Sequence, residues 1–117
     1  MADYSVCKLD EIESSYGGSF KGVRQALGGT AFGINVIDLP AGFEDYPEHD
    51  HSEDRQEEVY TALSGSAEVD IEGERVALEP GTFIRVAPGT KRKIYPGSEG
   101  VRILAVGSPA GAYTPEG

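Results

Sequence analysis

From residue 30 onward the chain alternates between short apolar runs and turn-forming residues. The segment 30–39 (TAFGINVIDL) is rich in residues that favour extended backbone and stops at Pro40-Ala41-Gly42. The run 58–63 (EVYTAL) reads as a strand ending at Ser64-Gly65, and 66–71 (SAEVDI) alternates before a turn at Glu72-Gly73. Next come 74–78 (ERVAL), turned by Glu79-Pro80-Gly81, and 82–86 (TFIRV), closed by Pro88-Gly89. The runs 91–95 (KRKIY) and 101–106 (VRILAV) complete the set. Turn signals recurring roughly every 8 to 12 residues, with no 3.6-residue apolar period between them, predict an all-β sandwich or barrel.

The first 29 residues are less patterned. Residues 6–12 fit a strand or one helical turn, and 20–27 fit a strand or a short helix ended by Gly28-Gly29. The last stretch, 107–117, is rich in Gly, Pro and Ala and is expected to lie loosely over the surface. The length of 117 residues suits one domain, with no internal repeat. The expected organisation is an N-terminal extension, 1–29, packing on a barrel, 30–106, followed by the tail, 107–117.

Composition sharpens this picture. The chain has 16 Gly, 7 Pro and no Trp, which favours many short elements around a core of Val, Ile, Leu, Ala, Phe and Tyr. A formal net charge of -10 repels phosphate backbones and anionic lipid surfaces, so neither nucleic acid nor a membrane is an expected partner. The single cysteine, Cys7, rules out an internal disulfide and a cysteine-based zinc site, and is read as an ordinary residue. The acidic start lacks the basic-then-apolar pattern of a signal peptide, and no apolar run reaches membrane-spanning length, so a cytoplasmic location is expected.

Candidate chemistry is concentrated in the acidic stretch PEHDHSEDRQEE, which holds both histidines, His49 and His51. On an extended segment, residues at i and i+2 project to one face, so both imidazoles point the same way. Two such imidazoles plus a nearby carboxylate make a set suited to iron, manganese, nickel or zinc. Glu57 and Glu58 face opposite sides of a strand, and Glu58 shares its side with Tyr60 and Ala62.

In these positions the chain resembles the cupin superfamily, whose first motif runs Gly, five residues, His-x-His, three or four residues, Glu, six residues, Gly. Gly42, His49, His51, Glu58 and Gly65 follow that order, with six residues in each of the first two gaps and a matching six between Glu58 and Gly65. The second motif runs Gly, five residues, Pro-x-Gly, two residues, His, three residues, Asn. Gly81 and Gly89 keep its spacing, but Ala87 takes the proline position, Pro96 the asparagine position, and Arg92 that of the fourth ligand histidine. The fifteen residues between Gly65 and Gly81 are similar to the short spacer of small single-domain cupins. The resemblance implies a double-stranded β-helix, or jelly-roll barrel, over about 30–106. It further implies a divalent metal on His49, His51 and Glu58, and no organic cofactor.

Arg92 departs from the pattern in a consequential way. A guanidinium is always charged and only donates, so it cannot ligate a metal. If it points inward, it either pairs with Glu58 in place of a cation or holds a carboxylate or phosphate of a ligand. Arg92 and Tyr60 are therefore the candidate ligand-binding residues. Tyr46, Phe83 and Tyr95 are further candidates to line the cavity, and Arg85 fits either an inward or an outward position. Two functions stay open: a metal-dependent cupin acting on or binding a small, anionic molecule, and a metal-free, non-catalytic binding or sensor cupin. A third possibility is a structural or interaction protein, and a homodimer is expected under all of them.

Overall fold

In chain order the strands are β1 (Ser14–Ser15), β2 (Phe20–Gly22), β3 (Gly33–Leu39), β4 (Gln56–Ile71), β5 (Glu74–Leu78), β6 (Phe83–Val86) and β7 (Arg92–Pro109). One short helix, α1 (Val23–Leu27), lies between β2 and β3, and single 3-10 turns cover Leu9–Glu11 and Tyr16–Gly18. The computed structural model describes residues 2–115, so Met1, Glu116 and Gly117 of the two terminal segments lie outside the described residues.

The frame is the antiparallel pairing of β4 with β7, which runs from Gln56 opposite Pro109 to Ile71 opposite Arg92. Beyond β7 come β3, β2 and β1; on the other flank β5 pairs the second half of β4 and β6 the first half. The result is an antiparallel jelly-roll barrel. Alternate residues of the strands face inward, and Ile37, Leu39, Tyr60, Val69, Ile84, Val86, Ile94 and Ile103 build its core. Between β3 and β7, Asp38 sits opposite Arg102 and accepts two bonds from that guanidinium, at 2.7 and 3.2 Å.

The sequence pattern divides β4 and β7 into four shorter strands, and the structure corrects this. Ser64-Gly65 and Pro96–Gly100 do not reverse the chain. They are absorbed as register shifts, between Ala62 and Ser64 and between Gly65 and Ala67, that bend the two strands together. Gly65 has φ +70 at this bend, with the Gly100 backbone packed directly against its Cα. Residues 107–109, expected in the loose tail, complete β7 opposite Gln56, Glu57 and Glu58. The 20–27 segment is strand and helix in succession, and Gly28 ends the helix in the left-handed conformation.

The β4–β5 hairpin turns at Glu72-Gly73, as its sequence implies. Asp70 accepts from the Gly73 amide at 3.0 Å and from Arg75 Nε at 3.1 Å. These bonds, the amide first, hold the Asp70 carboxyl below its ordinary value. A depressed carboxylate pKa stabilises the fold above the unfolded value, and this contribution is lost as pH falls through the folded one. Asp70→Asn is therefore expected to lower the thermal midpoint at neutral pH and to flatten its acid dependence. Calorimetry across that range checks both, and an unchanged midpoint would refute the role given to Asp70. No helix among the described residues is long and apolar enough to cross a membrane.

Candidate metal centre

The two histidines are not on a strand. They lie in the irregular segment between β3 and β4, tied to the barrel through the backbone. His49 exchanges two bonds with Arg92, its amide donating at 3.0 Å and its carbonyl accepting at 2.9 Å, and the His51 amide donates to the Pro88 carbonyl at 2.7 Å. These bonds keep the stretch extended enough that both rings face one way, with centroids 5.2 Å apart. Glu58, on the inward face of β4, meets them. Its Oε1 lies 3.1 Å from His51 Nε2 and 4.0 Å from His49 Nε2. Glu57 points outward and pairs with Arg85 at 2.6 Å. Arg85 is thus an outer-surface residue.

Both imidazoles are oriented from behind. His49 Nδ1 is 3.2 Å from the Pro47 carbonyl oxygen, an acceptor only, so Nδ1 donates. His51 Nδ1 sits 3.1 Å from each carboxylate oxygen of Asp54. Burial raises the pKa of Asp54, but the bonds from His51 and from the Gln56 amide outweigh it and hold the group below its ordinary value, ionised to receive the Nδ1 proton. In a neutral ring a proton on Nδ1 leaves Nε2 with its lone pair, and both Nε2 atoms face the Glu58 carboxylate. Acceptor atoms 3.1 Å apart repel unless a proton or a cation lies between them, which is the arrangement a metal site presents before loading. One donor atom from each of the three residues lies within 4.8 Å of the others. Donors on one ion with bonds near 2.1 Å are about 3 to 3.5 Å apart, so the set fits a transition metal after a small closure at His49. Asp54 is a candidate site residue that lies outside the family motif; its only sequence signal is an acid three places after a histidine in a turn.

The carboxylate is anchored from the barrel side. Tyr60, buried, donates to Glu58 Oε1 at 2.5 Å. Burial and then the charge of Glu58 push the Tyr60 hydroxyl far above its ordinary value, so it stays a donor. The Tyr46 hydroxyl is raised by the same two causes, with Arg92 opposing. Arg92 points inward and is fully buried. Its Nη2 donates to the Ala87 carbonyl at 3.3 Å and stands 3.8 Å from Glu58 Oε1, while Nε and Nη1 have no partner. Two of the aromatic cavity candidates are elsewhere: Phe83 is 70% exposed on the outer face, and Tyr95 lies under the Arg75 guanidinium at 4.0 Å. Strand alternation accounts for both, since Phe83 and Tyr95 take the opposite side from Ile84 and Ile94.

A small antiparallel jelly-roll barrel with an inward His-His-Glu cluster is the architecture of one family of domains, to which the chain is similar in sequence as well. The family model described as "Cupin domain" matches residues 35–107, and the chain belongs to the cupin family. It is 29% identical over 102 residues, 87% of this chain and 93% of the relative, to the uncharacterized protein SCO3923 of Streptomyces coelicolor. Among solved structures it is similar to a cupin protein from Bacteroides fragilis, with a TM-score of 0.82 and 26% identity over 100% of this chain and 93% of that one. It shares the fold of KdgF from a Halomonas species, with a TM-score of 0.69 and 15% identity over 92% of this chain and 94% of that one.

Proposed function

We propose that this cupin binds one divalent transition metal through His49 Nε2, His51 Nε2 and a Glu58 carboxylate oxygen, and uses the site to hold a small anionic molecule, with Arg92 and Tyr60 on the barrel side. The observation that carries the reading is the convergence of both Nε2 atoms on one carboxylate, each imidazole fixed by an acceptor behind its Nδ1. A borderline donor set of two imidazoles and one carboxylate suits iron, manganese, nickel or zinc. Such an ion, when bound, would supply Lewis acidity and open coordination positions. The chain's own residues do the rest. Tyr60 holds the carboxylate in place, Asp54 and the Pro47 carbonyl hold the rings, and the Arg92 charge favours an anion over a neutral molecule.

Elemental analysis of protein purified without a metal-binding tag tests this reading. About one equivalent of transition metal is expected, and its absence even after incubation with iron, manganese, nickel and zinc would overturn it. A second reading is motivated by the position of Arg92, 3.8 Å from Glu58 where the family's fourth ligand stands. In it the guanidinium replaces the metal and the barrel is a metal-free binding or sensor module. Arg92→His separates the two. If the metal is native, the variant binds it at least about tenfold more tightly, through an added donor and a lost like charge. If Arg92 is the native cation, the wild type takes up no metal and only the variant does.

We also infer that the chain pairs with a second copy through the outer face of β3, β7, β4 and β6. Two ladders of residues cross that face: Ile34, Val106 and Val59, and Leu104, Thr61 and Phe83, the second ending at Val36, which the chain itself buries. Phe83 and Leu63 on it are 70% and 50% exposed, more apolar surface than a sheet commonly leaves to water. Light scattering is expected to give a dimer mass, and Phe83→Asp a monomer. A monomeric wild type would remove the inference.

A further inference from the structure

A cavity of about 390 Å³ opens beside the histidine cluster and is lined by Phe20, Ile37, Phe43, Tyr46, Pro47 and His49, with Tyr16 and Ser19 at its edge. The wall is built by two parts of the chain that are distant in sequence. Phe20 and Tyr16 come from the N-terminal extension and pack ring edge to ring face, with centroids 6.0 Å apart, while Tyr46 and Phe43 come from the segment that carries the histidines. At the inner end the Tyr46 ring lies 5.7 Å from the His49 ring, and its hydroxyl feels the charges of both Glu58 and Arg92. The cavity is thus mostly apolar along its length and reaches the site at His49.

We propose that the ligand of this site is an organic anion with an apolar, flat body: its oxyanion head lies at the His49–His51–Glu58–Arg92 cluster and its body lies between Phe20, Phe43 and Tyr46. This deepens the function proposed above and rests on it. Two observations carry it independently. Arg92 is fully buried 3.8 Å from Glu58, with Nε and Nη1 unpaired, so a positive charge that the fold leaves only partly matched stands behind the cluster. The adjoining wall is mostly apolar, and its polar groups are few: Ser19, Asp45, His49 and the hydroxyls of Tyr16 and Tyr46, with Ser19 Oγ already donating to the Tyr16 carbonyl at 2.9 Å. A polyhydroxylated body such as a sugar would leave its hydroxyls unpaired there, whereas a ring or branched hydrocarbon gains from the transfer. The volume falls within the ordinary range for small-molecule sites. The N-terminal extension therefore has a function in selectivity, as the closing wall of the body subsite.

The probe is 3-phenylpropionate, with acetate as head alone and glucose 6-phosphate as a polar-bodied anion, titrated into the full chain and followed by amide resonances. Phenylpropionate is expected to shift Phe20, Phe43 and His49 and to bind at least about tenfold more tightly than acetate. Ser19→Phe fills the cavity from its edge, where the backbone (φ -84, ψ -9) accepts any side chain. It should weaken phenylpropionate about tenfold or more while leaving acetate binding and metal content unchanged. Should that variant fail to fold, Tyr16→Ala at an exposed position opens the same wall and should weaken phenylpropionate selectively. Equal binding of acetate and phenylpropionate, tighter binding of glucose 6-phosphate, shifts confined to the outer sheet face, or no binding at millimolar phenylpropionate would each overturn the proposal. Metal content is read in the same samples, so failure of the body subsite with metal retained is distinct from failure of the metal site.

Discussion

Replacing His51 with alanine is expected to abolish stoichiometric metal, lowering affinity on the order of 100-fold or more. The magnitude follows from the free energy of small protein metal sites, about 10 to 16 kcal/mol over four donors, or roughly 3 kcal/mol per donor. His51 is the sharper choice of the two histidines because its Nε2 is nearest the carboxylate, at 3.1 Å, and its Nδ1 is held by a charged partner. The same geometry predicts a graded companion effect. Asp54→Asn keeps the shape beside His51 but loses the charge that orients the ring, and should weaken metal by about tenfold to 100-fold. Calorimetric titration of apo protein with manganese or zinc measures both. A His51→Ala protein that binds as tightly as the wild type would refute the assignment. An Asp54→Asn protein as weak as His51→Ala would show that Asp54 does more than orient the ring.

The second large effect concerns the fold. Gly65→Ala is expected to destabilise the protein by about 3 kcal/mol or more. Backbone strain at a left-handed φ contributes about 1 to 3 kcal/mol for a residue with a Cβ, and overpacking adds a similar amount. Both apply here. Gly65 has φ +70, and a Cβ would collide with the Gly100 carbonyl oxygen and come to 3.0 Å of the Val101 Cα. Those atoms are backbone of a paired strand and cannot move aside cheaply. The midpoint of thermal unfolding should fall by roughly 10 °C or more. Gly73→Ala is the control. It also has positive φ, at +94, but nothing lies within 4 Å of the added methyl, so only the strain of about 1 kcal/mol remains. If both variants lose the same stability, the close packing of the two bends is not what selects glycine at position 65.

The placement of Glu58 and the bend at Gly65 together explain why the motif spacing carries over to this chain. Glu58 and Gly65 lie on one strand, seven positions apart, and the bend at Gly65 is where β4 packs on the Gly100 bend of β7. The glycine sets the curvature of the strand on which the carboxylate stands, so an unchanged interval between them preserves how Glu58 meets the barrel interior. The loop before Glu58 has no such constraint. It is held by backbone bonds to Pro88 and Arg92, and so tolerates the longer gaps on either side of the histidines.

Alternation of apolar and polar residues and the placement of glycines and prolines determine by themselves that this chain is an all-β barrel, because a strand's side-chain period of two is written locally. The opposite facing of Glu57 and Glu58 follows from the same period, and the inward choice of Glu58 from the spacing to Gly65 that the resemblance to cupins supplies. What alternation does not encode is which turn signals reverse the chain. Ser64-Gly65 and Glu72-Gly73 look alike in sequence, yet the first is a bend within β4 and the second a hairpin. Only the partner strand distinguishes them: β7 runs on past Gly65, whereas Gly73 has no strand to continue along. The inward direction of Arg92, the support of His51 by Asp54, and the closing of the cavity by Phe20 were likewise decided by tertiary structure, since each depends on a contact between segments whose separation in space no local pattern records.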